Sequence, residues 1–150
     1  MDIDNIDFKI LKLLSKNSRI QWKELGREIN MTGQAVGNRV RKLEEAGIIE
    51  SYTLAINELN LGIFYTGFII IYLKTSCHKS FIQYINTRSE IVEVNRISGE
   101  GCYHLKVKVY SQDTLNHILE EILEHGSYQL YLSVNEIKHA NILDLESNIN

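Results

Sequence analysis

Proline is absent from this chain of 150 residues, tryptophan occurs once, and cysteine and methionine occur twice each. Without proline or any Gly/Ser tract, a long flexible linker is not expected. Cys77 and Cys102 are too few for a disulfide framework and lack metal-site spacing, so both are expected as free thiols of a cytoplasmic protein. No apolar run approaches the roughly 18 residues of a membrane span. The opening "MDIDNIDFKI" carries acids where a secretory signal has positive charge. A basic excess is missing too, since the net charge is −3.

The distribution of charge is more informative than its sum. Residues 1–50 hold nine Lys/Arg against eight Asp/Glu, and the remainder holds seven against eleven. No acid lies between Glu28 and Glu44, a stretch that includes Arg39, Arg41 and Lys42. A composition 44 % hydrophobic and 23 % charged fits one medium globular domain or two small ones. Two small domains have modest cores, and oligomerisation is a natural source of further burial.

Three helical segments are legible in the first fifty residues. Ile3, Ile6, Ile10, Leu13 and Leu14 recur at helical spacing, with Asp4 as the expected N-cap and Asp7 in the first turn. Trp22, Leu25 and Ile29 mark a short second helix whose cap position, Gln21, holds an unfavoured residue. After a turn at Asn30 and Met31, Thr32 caps a third helix with Val36, Val40 and Leu43 inward, and Gly47 ends it. A leading helix followed by two helices across a short turn is a helix-turn-helix arrangement.

Glycine inside a helix costs about 0.8–1 kcal/mol relative to alanine, so Gly33 and Gly37 require a reason. The exposed face of the third helix carries Gln34, Gly37, Asn38 and Arg41, with Gly33 beside it. A recognition helix presents its N-terminal residues to base edges in the major groove. Small residues there permit close approach, and Gln or Asn can read adenine bidentately. Arg39, Arg41 and Lys42 are expected nearer the phosphates, where charge gives affinity without sequence information. For Arg39 the alternative is bracing of the helix through Glu residues. Trp22 either touches the DNA backbone or packs at a helix start. The candidate DNA-binding set is Thr32, Gly33, Gln34, Gly37, Asn38, Arg39, Arg41 and Lys42.

Beyond Gly47, "IIESYTLAIN" alternates like a strand, as in a winged variant or an extended connector. The expected division is a helix-turn-helix domain over 1–50, a strand-like connector over 51–62, a second domain over 63–140 and a tail over 141–150. In the second domain "FYTGFIIIYLK" is apolar on both faces, as for a central strand covered on both sides. A helical piece with Phe81, Ile82 and Ile85 follows, then the strand "IVEVNRIS", the turn "GEG" and the alternating "CYHLKVKVY". Thr114 to Glu124 is a helix capped by Asp113, and "SYQLYLSVNEIK" closes as a strand. The order β-α-β-β-α-β is the ferredoxin-like split arrangement. The fold class is therefore α+β, a winged helix-turn-helix domain followed by a ferredoxin-like βαββαβ domain. The sheet face away from the helices retains Tyr and Ile side chains, which points to pairing with a second subunit.

Enzymatic chemistry is the rival class. His117 and His125 lie eight apart, not at metal-site spacing, and His78, His104 and His139 fall on separate segments. No P-loop, HExxH, GxSxG or dinucleotide fingerprint occurs. No cofactor or metal is expected. Cys102 has no evident cation to lower its pKa and reads as packing rather than as a redox sensor.

The stretch from Ile3 to Gly62 resembles the DNA-binding domain of the Lrp/AsnC (feast/famine) transcriptional regulators. The matching residues are Ile3-Asp4, Asp7, Ile10-Leu11, Leu14, Arg19, Glu24-Leu25, Val36, Arg39-Val40, Leu43-Glu44, Gly47-Ile48-Ile49, Tyr52 and Leu61-Gly62. The resemblance implies a regulator dimerising through its C-terminal sheets, assembling further into octamers, and binding double-stranded DNA and an amino acid. It places the effector site beside the loop holding Gly99, Glu100, Gly101 and Cys102. The family pattern usually has an acid where this chain has Cys102. A thiol cannot pair with an ammonium group as an acid does, and Glu100 is the nearby substitute. The alternative to an effector-linked regulator is an architectural protein that bends or wraps DNA with little sequence preference and no ligand.

Overall fold

The computed structural model describes residues 2–74 and 78–138. Cys77, His139 and the expected tail over 141–150 lie outside the described residues. Two compact units divide between Ala55 and Ile56, a point inside the expected connector.

The first unit holds three helices, α1 (Asn5–Lys16), α2 (Trp22–Glu28) and α3 (Gly33–Glu45). Asp4 caps α1 by accepting from the amides of Ile6 and Asp7, and the Asp7 carboxylate accepts from the Asp4 amide, which completes a capping box. Gln21 gives α2 no side-chain cap. Asn30 turns the chain with φ 59°. Ile10, Leu14, Leu25, Val36, Val40 and Leu43 form the buried core. Each fully buried aliphatic side chain contributes about 1.5–3 kcal/mol, so a core this small is sensitive to the loss of any member.

The segment after α3 departs from expectation. Residues 51–57 form no strand, because no neighbouring strand pairs with them among the described residues. Tyr52, Leu54 and Ile56 keep the alternation but remain exposed.

The second unit runs β1 (Tyr65–Leu73), α4 (His78–Ile85), β2 (Ile91–Arg96), β3 (Tyr103–Val109), α5 (Gln112–His125) and β4 (Gly126–Leu132). The antiparallel sheet has the order β2-β3-β1-β4, with Ile69 opposite both Leu105 and Leu130. Phe81 and Ile85 of α4 and Leu115, Ile118, Leu119 and Ile122 of α5 pack with Ile69, Ile71, Leu105 and Val107. Both helices thus cover one face, the ferredoxin-like arrangement.

Three details differ from the sequence reading. β1 is buried only on its Gly67, Ile69 and Ile71 side, and Phe68, Ile70 and Tyr72 on the other side are half-buried. α5 starts two residues earlier than expected, capped by the Ser111 side chain accepting from the Thr114 amide, which leaves Asp113 as a first-turn charge. β4 stops at Leu132, with one further backbone bond from the Ser133 amide to the Thr66 carbonyl, and so ends well before the expected Lys138. No helix among the described residues is long and apolar enough to cross a membrane.

Candidate nucleic-acid interface

Thr32 starts the site. Its hydroxyl accepts from the Ala35 amide at 3.2 Å, satisfying one of the donors that every helix start leaves open. From there the helical period separates two sets of side chains. Val36, Val40 and Leu43 are buried, whereas Gln34, Asn38, Arg41 and Lys42 are exposed. Among the described residues, none of these four polar side chains has a hydrogen-bond or ion-pair partner. A hollow of about 360 Å³ brings Gln34, Gly37, Asn38 and Arg41 together with Trp22 and Glu44. Two amides that both donate and accept, beside a guanidinium that always donates, form a surface suited to base edges and phosphate oxygens.

Arg39 does not belong to that surface. Its Nη1 donates to Asp4 Oδ2 and to Asp7 Oδ1, each at 2.8 Å. Asp7 is 2 % exposed, so the guanidinium neutralises a buried carboxylate. The bonded Asp7 amide first, and Arg39 second, hold the Asp4 carboxyl below its ordinary value. The bond to the Asp7 carboxylate first, and that to Asp4 second, raise Arg39. Arg39 is therefore a brace between the start of α1 and the middle of α3, through aspartates rather than glutamates. Of the two expectations for Arg39, bracing and phosphate contact, this geometry favours bracing.

The glycines also acquire a nearer cause than DNA. A Cβ on Gly33 would stand 3.0 Å from the Lys23 amide nitrogen and 3.1 Å from the Lys23 Cα, so α2 crosses α3 where Gly33 permits it. A Cβ on Gly37 would meet the Trp22 ring at 3.3 Å. These close approaches carry no sequence signal, because they depend on how α2 and α3 cross. At the other end of α3, the Tyr52 hydroxyl donates to Glu44 at 2.8 Å. Partial desolvation of the hydroxyl, then its bond to the Glu44 carboxylate, push the Tyr52 phenol up to about 12. A larger hollow of the same unit, about 770 Å³, runs along residues 48–55 and the end of α1 and includes none of the reading residues.

The loop expected to hold an effector is described separately, within the second unit. Gly99 and Glu100 are exposed, and Gly101 and Cys102 are half-buried. The Cys102 amide donates to the Ile71 carbonyl at 2.7 Å, and its side chain packs on the sheet core. Cys102 thus faces inward, and Glu100 is the loop's exposed acid. Among the described residues no group of three or more His, Cys, Asp and Glu could hold a metal ion.

Comparison with known proteins agrees with this geometry. The family profile described as winged helix-turn-helix DNA-binding matches residues 3–50, and that described as the Lrp/AsnC ligand binding domain matches 66–143. The HTH-type transcriptional regulator LrpB of Bacillus subtilis is 52 % identical over 138 residues, covering 92 % of this chain and 93 % of that protein. The structure of B. subtilis LrpC superposes with a TM-score of 0.88 at 31 % identity, covering 93 % of this chain and all of that one. A Neisseria meningitidis transcriptional regulator, NMB0573, solved as an L-Met complex, shares the fold at 24 % identity. Its TM-score is 0.85, over 92 % of this chain and 94 % of that one. The chain belongs to the Lrp/AsnC family of DNA-binding transcriptional regulators.

Proposed function

We propose that the chain is a sequence-specific regulator that reads bases through Gln34 and Asn38 and holds phosphates through Arg41 and Lys42. The observation that carries this reading is the unpartnered polar face of α3 on a helix whose opposite face is fully buried. Thr32 sets where that face begins. Gly37 lies within it and Gly33 beside it, where they admit the Trp22 ring and the α2 backbone.

The active form is a homodimer paired through the open sheet face, where Phe68, Ile70 and Tyr72 sit half-buried and Tyr131 is 54 % exposed. Dimers assemble further into octamers in the cytoplasm. Two recognition helices then enter successive major grooves about 34–36 Å apart, and linked half-sites raise occupancy without new contacts. An amino acid binds beside Gly99, Glu100, Gly101 and Cys102 and acts by favouring one assembly state, since only differential binding shifts an equilibrium.

A second reading, architectural wrapping without an effector, draws on two observations. Gly33 and Gly37 offer no side chain to bases, and Cys102 packs on the core rather than facing a ligand. A gel-shift titration separates the two, using the gene's own upstream DNA and a random fragment of equal length, with and without amino acids. Preference for the upstream fragment that responds to one amino acid supports the effector-linked regulator. Equal stepwise binding, indifferent to every amino acid, supports wrapping. No binding at low salt removes both.

A further inference from the structure

Trp22 has no part in the reading given so far. It is the chain's single tryptophan, stands at the start of α2 and is 39 % exposed. The residues packed on the core of its unit do not include it. Its indole lies instead over Gly37, with Cδ1 3.3 Å and Nε1 3.6 Å from where a Cβ would be. Gly37 follows Gln34 by three positions and precedes Arg41 by four, so it occupies the middle of the polar face. The indole shares a hollow with Gln34, Asn38 and Arg41.

We infer that Trp22 is a specificity-determining residue of the DNA-reading surface: α2 supplies, through the indole, the side chain that α3 omits at Gly37. This rests on the proposed reading of α3 as the recognition helix. A residue serving only to wedge two helices apart has no need of an exposed edge among base-reading amides. The chemistry of the edge names its target. In the major groove the apolar feature of the base pairs is the thymine 5-methyl group. Cδ1 and Nε1 are the indole atoms that lie against Gly37, so the six-membered ring is the part left to meet DNA. Its C–H edge adds an apolar contact to two polar ones and favours thymine next to the bases those amides read.

The single tryptophan makes the test direct, because all indole emission comes from this site. The full-length protein is titrated with upstream DNA and with a random fragment of equal length while acrylamide quenching is followed. Binding is expected to shield Trp22, more strongly on the upstream fragment. The same fragment is then prepared with deoxyuridine in place of thymidine, which removes the methyl groups and leaves every hydrogen-bonding edge intact. Wild type is expected to lose about fourfold in affinity per contacted methyl. Trp22→Ala loses less on the same exchange, and Trp22→Phe falls between. Gly37→Ala alters the emission of the free protein and lowers DNA preference, yet has little effect in the Trp22→Ala background.

DNA binding that leaves Trp22 fully quenchable overturns the inference. So do equal deoxyuridine penalties in wild type and Trp22→Ala, with the helices of the variant checked by circular dichroism and Trp22→Phe as a second, more conservative variant. If wild type binds no DNA at low salt, the reading of α3 fails and takes this inference with it, an outcome distinct from binding without shielding.

Discussion

Among the described residues, the unit ending at Ala55 buries six apolar side chains in its core, whereas the unit starting at Ile56 buries twelve and leaves one side of a sheet open. The first unit ties part of its polar surface internally and leaves Gln34, Asn38, Arg41 and Lys42 without partners among the described residues. Arg39, Asp4 and Asp7 tie two helices together, and Glu44 holds Tyr52. The second unit has area to spare, and its Phe68, Ile70, Tyr72 and Tyr131 stay only partly covered. Both units carry ion pairs, Arg39 with Asp4 and Asp7 in the first and Arg88 with Glu121 and Lys108 with Glu58 in the second, but the first has half the buried core to add to them. The sheet adds area, and its open face calls for a second chain.

Four measurements break or sharpen this contrast, in descending size of effect. Phe68→Asp puts a charge at the centre of the open face, opposite Lys106 and Tyr131 in register. The mass by light scattering is expected to fall to the monomer value under conditions where wild type is dimeric. A monomeric wild type would remove the proposed role of this face. Arg39→Ala comes next. It strands the buried Asp7 carboxylate, for which breaking a fully buried pair costs 3–5 kcal/mol. With the Arg39 side chain 29 % exposed to solvent screening, about 2 kcal/mol is expected in chemical denaturation. The slope of DNA affinity against salt stays unchanged, because Arg39 is already committed.

Asp4→Asn is milder and depends on pH. The folded protein holds the Asp4 carboxyl below its ordinary value of 3.8. The unfolded chain therefore binds this proton more readily, so the charged form stabilises the fold above that value and the benefit disappears as pH falls through the lowered one. The melting-temperature gap between wild type and Asp4→Asn should be full at neutral pH and close in acid. A gap that persists there would assign the effect to something other than the charge. Arg41→Ala is expected to leave stability within about 0.5 kcal/mol and to lower the salt slope by roughly one contact. An unchanged slope would show that Arg41 makes no phosphate contact.

Much of the helical unit was legible because its signals are local. Asp4 and Thr32 cap the helices they were expected to cap, and Val36, Val40 and Leu43 face the core. The order of strands and helices followed from alternation and helical spacing in the same way. The missed features join residues far apart in sequence. Asp7 and Arg39 are 32 positions apart, and neither charge pattern nor period links them. The cause of Gly33 lies in Lys23, a neighbour only after α2 crosses α3. "IIESYTLAIN" carries strand periodicity, but pairing needs a partner, which the described chain does not provide. Both Ser111 and Asp113 are capping residue types, and sequence alone did not decide which would start α5. At the site, residue identity indicated a reading face, whereas the separation of Arg39 from Arg41 required coordinates.

The loop before β3 holds two glycines that differ in mutational tolerance. Gly99 has φ +109° and meets nothing within 4 Å where a Cβ would go, so a substitution there carries backbone strain alone, on the order of 1–2 kcal/mol. Gly101 has φ +95°, and its Cβ would stand 2.5 Å from Ile70 Cγ2, so strain and overlap add. A library randomised at both positions and selected for folded protein should tolerate more substitutions at 99, where only backbone strain opposes them, than at 101. The tip of the loop is free to vary, while its root is fixed by a side chain of the central strand.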